Sequence, residues 1–179
     1  MSFLSKLKDI KAFVLDIDGV LTDSTILITE TGEQLRRFNV KDGYALQLAV
    51  KKGYLFCVIS GGKSQTVLSR LNGLGITDVY LKVDKKIDVF NDFLNKHQLT
   101  ADQTVYMGDD IPDLPVMKVV GIAACPADAV EEVKASSSYI SPKSGGEGCV
   151  RDVIEKVLKA QGNWYDNNPS GQEELIPSV

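Results

Sequence analysis

Two carboxylates one residue apart, Asp16 and Asp18, stand where the apolar run 11–15 ends, and Gly19 follows them. Carboxylates this close repel, so either a cation lies between them or one keeps its proton, and both arrangements serve catalysis. Side chains two apart on an extended chain point the same way, which lets both groups face one phosphate or one metal ion. A carboxylate is ionised at neutral pH and attacks without a partner base. That matters in a chain whose one histidine, His97, lies among polar residues at the end of a helical segment. The same kinds of group recur further on. Ser60-Gly61-Gly62 offers a hydroxyl and backbone N–H groups near a helix start, Lys85 and Lys86 offer cations, and Gly108-Asp109-Asp110-Ile111-Pro112-Asp113 gathers three more carboxylates.

The elements that must position these groups follow from the apolar pattern. Strand-like runs at 11–15, 54–59, 78–81, 104–107 and 120–124 alternate with segments of helical spacing at 42–52, 64–74, 85–97, 112–118 and 148–160. Strands alternating with helices predict a doubly wound, Rossmann-like α/β fold with a parallel sheet and helices on both faces. In such sheets ligands bind beyond the carboxyl ends of the strands. Asp16 and Asp18, Ser60 to Gly62, and Gly108 to Asp110 each follow a strand at that end. Residues 25–39 break the alternation and predict a β-hairpin inserted at about 24–40. Ile26, Leu27, Ile28, Leu35 and Phe38 put apolar groups on both of its faces, so it is expected to pack against another subunit. The expected organisation is a single domain over 1–162 followed by a flexible polar tail over 163–179.

Composition narrows the function classes. With 44% apolar residues in 179, the chain fills one core, and its net charge of −4 leaves no basic stripe for nucleic acid. No apolar run reaches membrane-span length and residues 1–9 lack a signal-peptide pattern, so a cytoplasmic location is expected, with no membrane partner. Cys57, Cys125 and Cys149 have neither zinc-site nor disulfide spacing and read as free thiols.

In order along the chain, Asp16-Ile17-Asp18-Gly19-Val20, Ser60 after a strand, Lys86 opening a helix, and Gly108 to Asp113 resemble the four motifs of the haloacid dehalogenase superfamily. More narrowly, the chain resembles the capless 3-deoxy-D-manno-octulosonate 8-phosphate phosphatases. That resemblance rests on Asn39-Val40-Lys41-Asp42-Gly43-Tyr44, Val116-Met117, Gly145-Gly146-Glu147-Gly148, Arg151 and Ala160-Gln161-Gly162. It implies Asp16 as the nucleophile that becomes an aspartyl phosphate, and Asp18 as the acid and base for the departing oxygen and the incoming water. It implies Ser60, Gly61 and Lys86 as phosphate contacts, with Lys85 the competitor for the lysine role. Mg2+ would be held by Asp16, Asp109 and the backbone carbonyl of Asp18, while Asp110 and Asp113 hold metal-bound waters or orient Lys86. Lys41, Lys63, Arg70 and Gly146 would lie near the sugar acid. Many family members carry a basic residue where Glu147 stands, which leaves a carboxylate contact from that position open. The implied reaction releases the eight-carbon sugar acid and inorganic phosphate for lipopolysaccharide synthesis, in a homotetramer whose hairpins cover the sites. Three alternatives stand beside it: a phosphatase of nine-carbon sugar acid 9-phosphates, a receiver-type signalling module, and a non-catalytic tetramerising scaffold.

Overall fold

The computed structural model describes residues 3–165. After helix α1 (Phe3–Lys6) the chain enters β1 (Ala12–Leu15), and a small hairpin of β2 (Leu27–Ile28) and β3 (Gln34–Leu35) follows. The main alternation then runs α2 (Val40–Lys51), β4 (Leu55–Ile59), α3 (Gln65–Gly73), β5 (Asp78–Tyr80), α4 (Lys86–His97), β6 (Thr104–Met107), α5 (Leu114–Met117), β7 (Ile122–Cys125), α6 (Glu131–Ser136), β8 (Tyr139–Ile140) and α7 (Cys149–Ala160). The six-stranded sheet has the order β5-β4-β1-β6-β7-β8, and its pairings are all parallel. This is the doubly wound α/β architecture the pattern predicts.

Each strand of such a sheet is covered on both faces, so its residues are apolar throughout rather than alternating. In β1, all four residues are buried. Phe13 and Leu15 join a core with Ala45, Leu46 and Ala49 of α2, Val67 and Leu71 of α3, and Val153, Ile154 and Val157 of α7. Ala12 and Val14 join a second core on the opposite face, with Phe90 and Phe93 of α4, Met117 of α5 and Val133 of α6. The chain winds from β1 out to β5 and then crosses back to β6, so the strand order reverses beside β1. The crevice at that reversal is where polar residues can gather without disturbing either core.

The hairpin forms as expected, and Ile26, Leu27, Ile28 and Leu35 remain largely exposed on it. Besides the four-residue α1, two elements have no counterpart in the pattern of the residues, α6 and β8. The first is six residues long and the second two, in a stretch interrupted by Ser136, Ser137 and Ser138, too short for a period to register. The expected tail begins at 163, yet Asn163 donates to the Tyr54 hydroxyl at 3.0 Å and Trp164 packs on the first core under the Arg151 guanidinium. Residues 166–179 of that tail lie outside the described residues. The three cysteines are free and buried, and among the described residues no helix is long and apolar enough to cross a membrane.

Candidate active site

Asp16 is the first residue past β1, and its N–H donates to the Met107 carbonyl of β6, which extends the sheet pairing by one step. Its side chain accepts from the Ile17 N–H at 2.7 Å, so the carboxylate sits at the start of a turn and is fixed by it. Gly108 and Asp109 follow β6 in the same way, with the Gly108 N–H donating to Ala124 of β7. These neighbouring strand ends bring Asp16, Asp109 and Asp113 together, each offering an oxygen within 4.8 Å of the others.

Lys86 is the counter-charge. It is the first residue of α4 and is buried, and its ammonium lies 2.9 Å from Asp16 and 2.7 Å from Asp113. Lys85, one residue earlier, is exposed and turned away by the helix start. Asp113 is fully enclosed. One of its oxygens accepts from Lys86 and from the Tyr106 hydroxyl at 2.5 Å, and the other accepts from the backbone N–H groups of Asp109 and Asp110. With both oxygens taken, Asp113 orients Lys86 and the Asp109 loop. Asp110 is exposed and accepts from the Ile111 N–H, closing the short turn Ile111–Asp113.

The electrostatics are those of an over-acidic cluster. Burial, with help from Asp113 and against the pull of Lys86, raises the Asp16 carboxyl to about 6. Burial, then Asp16 and Asp113, raises Asp109 to about 8. Burial alone would lower Lys86, but Asp16 and Asp113 outweigh it and raise its pKa, so the ammonium stays charged. One oxygen of Asp109 is buried with no hydrogen-bond partner among the described residues. Three carboxylates around a single lysine, one with an orphaned oxygen, are a hard oxygen donor set short of positive charge, and a divalent cation such as Mg2+ fits it.

Asp18 stands beyond the end of the strand. The extended strand stops at Leu15, and residues Ile17–Leu21 form a wide turn in which the Thr22 N–H reaches the Ile17 carbonyl. The two-residue alternation that would aim Asp16 and Asp18 at one point therefore ends before it can act. The Asp18 carboxylate instead pairs with Arg36, at 2.6 Å to Nε and 3.3 Å to Nη2, and the carboxylate trio closes through Asp113. Nothing in Gln34-Leu35-Arg36-Arg37-Phe38 marks Arg36 apart from Arg37; the return path of the hairpin decides which one points inward.

Glycine is required twice in this loop. Gly19 has φ 91°, and a Cβ there would meet the Asp109 carboxylate at 1.9 Å. Gly145 packs from the far end of the chain, where a Cβ would lie 2.0 Å from the Gly19 carbonyl oxygen. The Gly145 to Gly148 segment thus braces the turn carrying Asp18, fastened by Gly146 N–H to the Val20 carbonyl and Gly145 N–H to Asp128.

Ser60 is buried after β4, its hydroxyl accepting from the Gly62 N–H at 3.1 Å. Gly62 stands against Asp18 and Arg36, so the Ser60-Gly61-Gly62 loop borders the Asp18 pair. The four residues expected near a sugar acid are not gathered in one place. Arg70 lines a cavity of about 350 Å³ between the hairpin and α3, under the Phe38 ring, whereas Lys41 lines another of about 490 Å³ with Glu147 and Arg151. Lys63 borders a small void with Asp18, Arg36 and Ser60, and Gly146 accepts from Asn39 through its carbonyl. Glu147 holds Arg37 at 3.0 Å, with Asp23 on the other side at 2.9 Å, so a cation does stand at that point, delivered from the hairpin.

The family model for haloacid dehalogenase-like hydrolases matches residues 69–154. The 3-deoxy-D-manno-octulosonate 8-phosphate phosphatase KdsC of Escherichia coli K12 is 37% identical over 159 residues, covering 89% of this chain and 85% of that protein. Among solved structures, that phosphatase from Moraxella catarrhalis in complex with magnesium, phosphate and KDO has a TM-score of 0.87 and 35% identity, over 90% of this chain and 92% of that one. The cobalt-bound Haemophilus influenzae phosphatase has a TM-score of 0.85 and 33% identity, over 89% and 93%.

Proposed function

The chain belongs to the 3-deoxy-D-manno-octulosonate 8-phosphate phosphatase family of the haloacid dehalogenase-like hydrolases, and we propose that it is a Mg2+-dependent phosphomonoesterase acting on that sugar acid phosphate. The observation that carries the reading is the trio of Asp16 and Asp113, both buried, and half-buried Asp109 around Lys86, with one Asp109 oxygen unpartnered among the described residues.

The chemistry proceeds through this chain's own groups. Asp16 attacks phosphorus as the bond to the sugar oxygen breaks, and Asp18 gives that oxygen a proton. The aspartyl phosphate on Asp16 is then attacked by water, which surrenders a proton to Asp18, and phosphate leaves. Lys86 and the Ser60-Gly61-Gly62 loop neutralise the phosphoryl oxygens, which is the main demand of this transition state. Asp16, Asp109 and the carbonyl of Asp18 would hold Mg2+, which would supply the remaining positive charge. Asp110 and Asp113 support that shell and Lys86. Lys41, Lys63, Arg70 and Gly146 are the candidate sugar-acid contacts.

The exposed apolar hairpin supports assembly into a homotetramer in which neighbouring subunits cover an otherwise open site. Three unpaired buried thiols accord with a reducing cytoplasm, where this reaction would serve lipopolysaccharide precursor synthesis.

The test is phosphate release with Mg2+ from the eight-carbon 8-phosphate and a nine-carbon sugar acid 9-phosphate. A kcat/KM higher for the eight-carbon substrate by at least about tenfold, roughly 1.4 kcal/mol at the transition state, is the expected result. The reverse ratio would move the assignment to the nine-carbon class. Silence on both, and on an aryl phosphate, would return the scaffold reading.

Cation binding also has a pH signature. Asp16 at about 6 and Asp109 at about 8 are raised in the fold, so between the unfolded carboxylate value of about 3.9 and pH 8 the folded chain holds more protons than the unfolded one. Their contribution to the stability of the Mg2+-free protein is full below that value and is lost as pH rises through 6 and 8. Mg2+ competes with those protons, and is therefore expected to raise Tm more at pH 8.5 than at pH 5.5. Equal shifts at the two pH values in a thermal melt would remove these carboxylates as ligands.

A further inference from the structure

We propose that Arg36 is the positioning residue for Asp18, so that the hairpin sets the direction of the group that exchanges protons with the substrate. The inference rests on the reading of Asp18 given above.

Arg36 lies just past β3, a strand whose residues are exposed, yet its own side chain is only 5% exposed. Its neighbour Arg37 stays in solvent and binds Asp23 and Glu147. The inward guanidinium meets both oxygens of Asp18, Nε at 2.6 Å to one and Nη2 at 3.3 Å to the other. A planar fork that engages both carboxylate oxygens sets the plane of the carboxyl group as well as its distance, which a single-point donor cannot do.

Asp18 needs such a hold. Its side chain is about a third exposed, and its backbone sits in a turn with φ −75° and ψ 116°, outside helix. It is also not a member of the enclosed carboxylate trio. Among the described residues the side-chain partner of Asp18 is Arg36, whereas Asp113 is gripped by four donors.

The third nitrogen supports the same conclusion. Nη1 of Arg36 is buried without a hydrogen-bond partner among the described residues. A guanidinium placed only to stabilise the hairpin would stay in water or be satisfied on every side, because a stranded buried donor is unfavourable. Here the other edge is committed to Asp18. The pair also leans on the phosphate loop, since a Cβ on Gly62 would lie 3.3 Å from Asp18 and 3.6 Å from Arg36. Hairpin, proton-exchanging group and phosphate loop are therefore in one contact chain.

The leaving oxygen provides the test. A sugar alkoxide needs a proton as it departs and an activated aryl oxide does not, so losing the orientation of Asp18 injures the sugar substrate selectively. Arg36→Gln, Arg36→Lys and Asp18→Asn are assayed with Mg2+ on the sugar acid 8-phosphate and on p-nitrophenyl phosphate. The readout is kcat/KM, which reports the chemistry through departure of the alcohol. Arg36→Gln is expected to lower the ratio of sugar to aryl kcat/KM by at least about tenfold, within the usual reach of general acid catalysis, and Arg36→Lys by less. An unchanged or increased ratio in Arg36→Gln, with Asp18→Asn lowering it, would overturn the role of Arg36 while keeping that of Asp18. No change of ratio in Asp18→Asn would instead sink the reading of Asp18 itself. A general loss of folding would depress both substrates together and leave the ratio of Arg36→Lys to decide.

Discussion

Asp16→Asn is expected to abolish phosphate release, by at least about 10⁴-fold in kcat, while the protein stays folded. The amide is nearly isosteric and can still accept from the Ile17 N–H, so the turn after β1 keeps its first hydrogen bond. What it lacks is a charged oxygen to attack phosphorus. The substitution also bears on stability in the opposite sense. Asp16 is raised to about 6 chiefly by burial, so above that pH the ionised carboxylate is disfavoured in the fold relative to the unfolded chain. A neutral amide removes that cost, and the Mg2+-free variant should melt no lower than the parent at pH 8. Residual turnover well above background, in protein checked for contamination by its melting curve, would transfer the nucleophile elsewhere.

Lys86→Met should have the second-largest effect, and on two observables. Methionine fills much the same space, but it leaves Asp16 and Asp113 facing each other without the ammonium that now stands 2.9 and 2.7 Å from them. Breaking a buried ion pair from one side costs about 3–5 kcal/mol, and loss of one stabilising donor at a transition state costs about 10²–10³-fold in rate. The stability loss should be largest at pH 8 without Mg2+ and should shrink toward pH 5, where the orphaned carboxylates take up protons. Lys85→Met serves as the comparison, since that residue is exposed. Equal activity losses in the two variants would end the case that the buried lysine faces the phosphoryl group.

Some of this was legible in the residues and some was not, for physical reasons. Asp16, Ser60 and Asp109 each follow a strand, and a strand followed by polar residues is a local signal; the parallel sheet then brings those ends side by side. Lys86 against Lys85 depends on the residue at which α4 starts, a one-residue question that periodicity does not settle. The heading of Asp18 depends on β1 stopping at Leu15, and the alternation rule holds only while the chain remains extended. Arg36 was beyond reach because its partner is chosen by the angle at which the hairpin returns, a tertiary matter with no trace in Leu35-Arg36-Arg37. The two-residue β8 and six-residue α6 are too brief to carry a period.

The position of β1 at the middle of the sheet has a bearing on synthesis. Its flanking strands, β4 and β6, come later in the chain, and the glycines that brace its following turn come later still. On a ribosome adding about 5–20 residues per second, the nascent chain therefore carries Asp16 for several seconds before Lys86, Asp109 and the bracing loop emerge. Parallel pairings between distant segments are slow to form, so the order of emergence reinforces the delay. A chain cut short before Gly145 lacks the segment on which the turn bearing Asp18 packs.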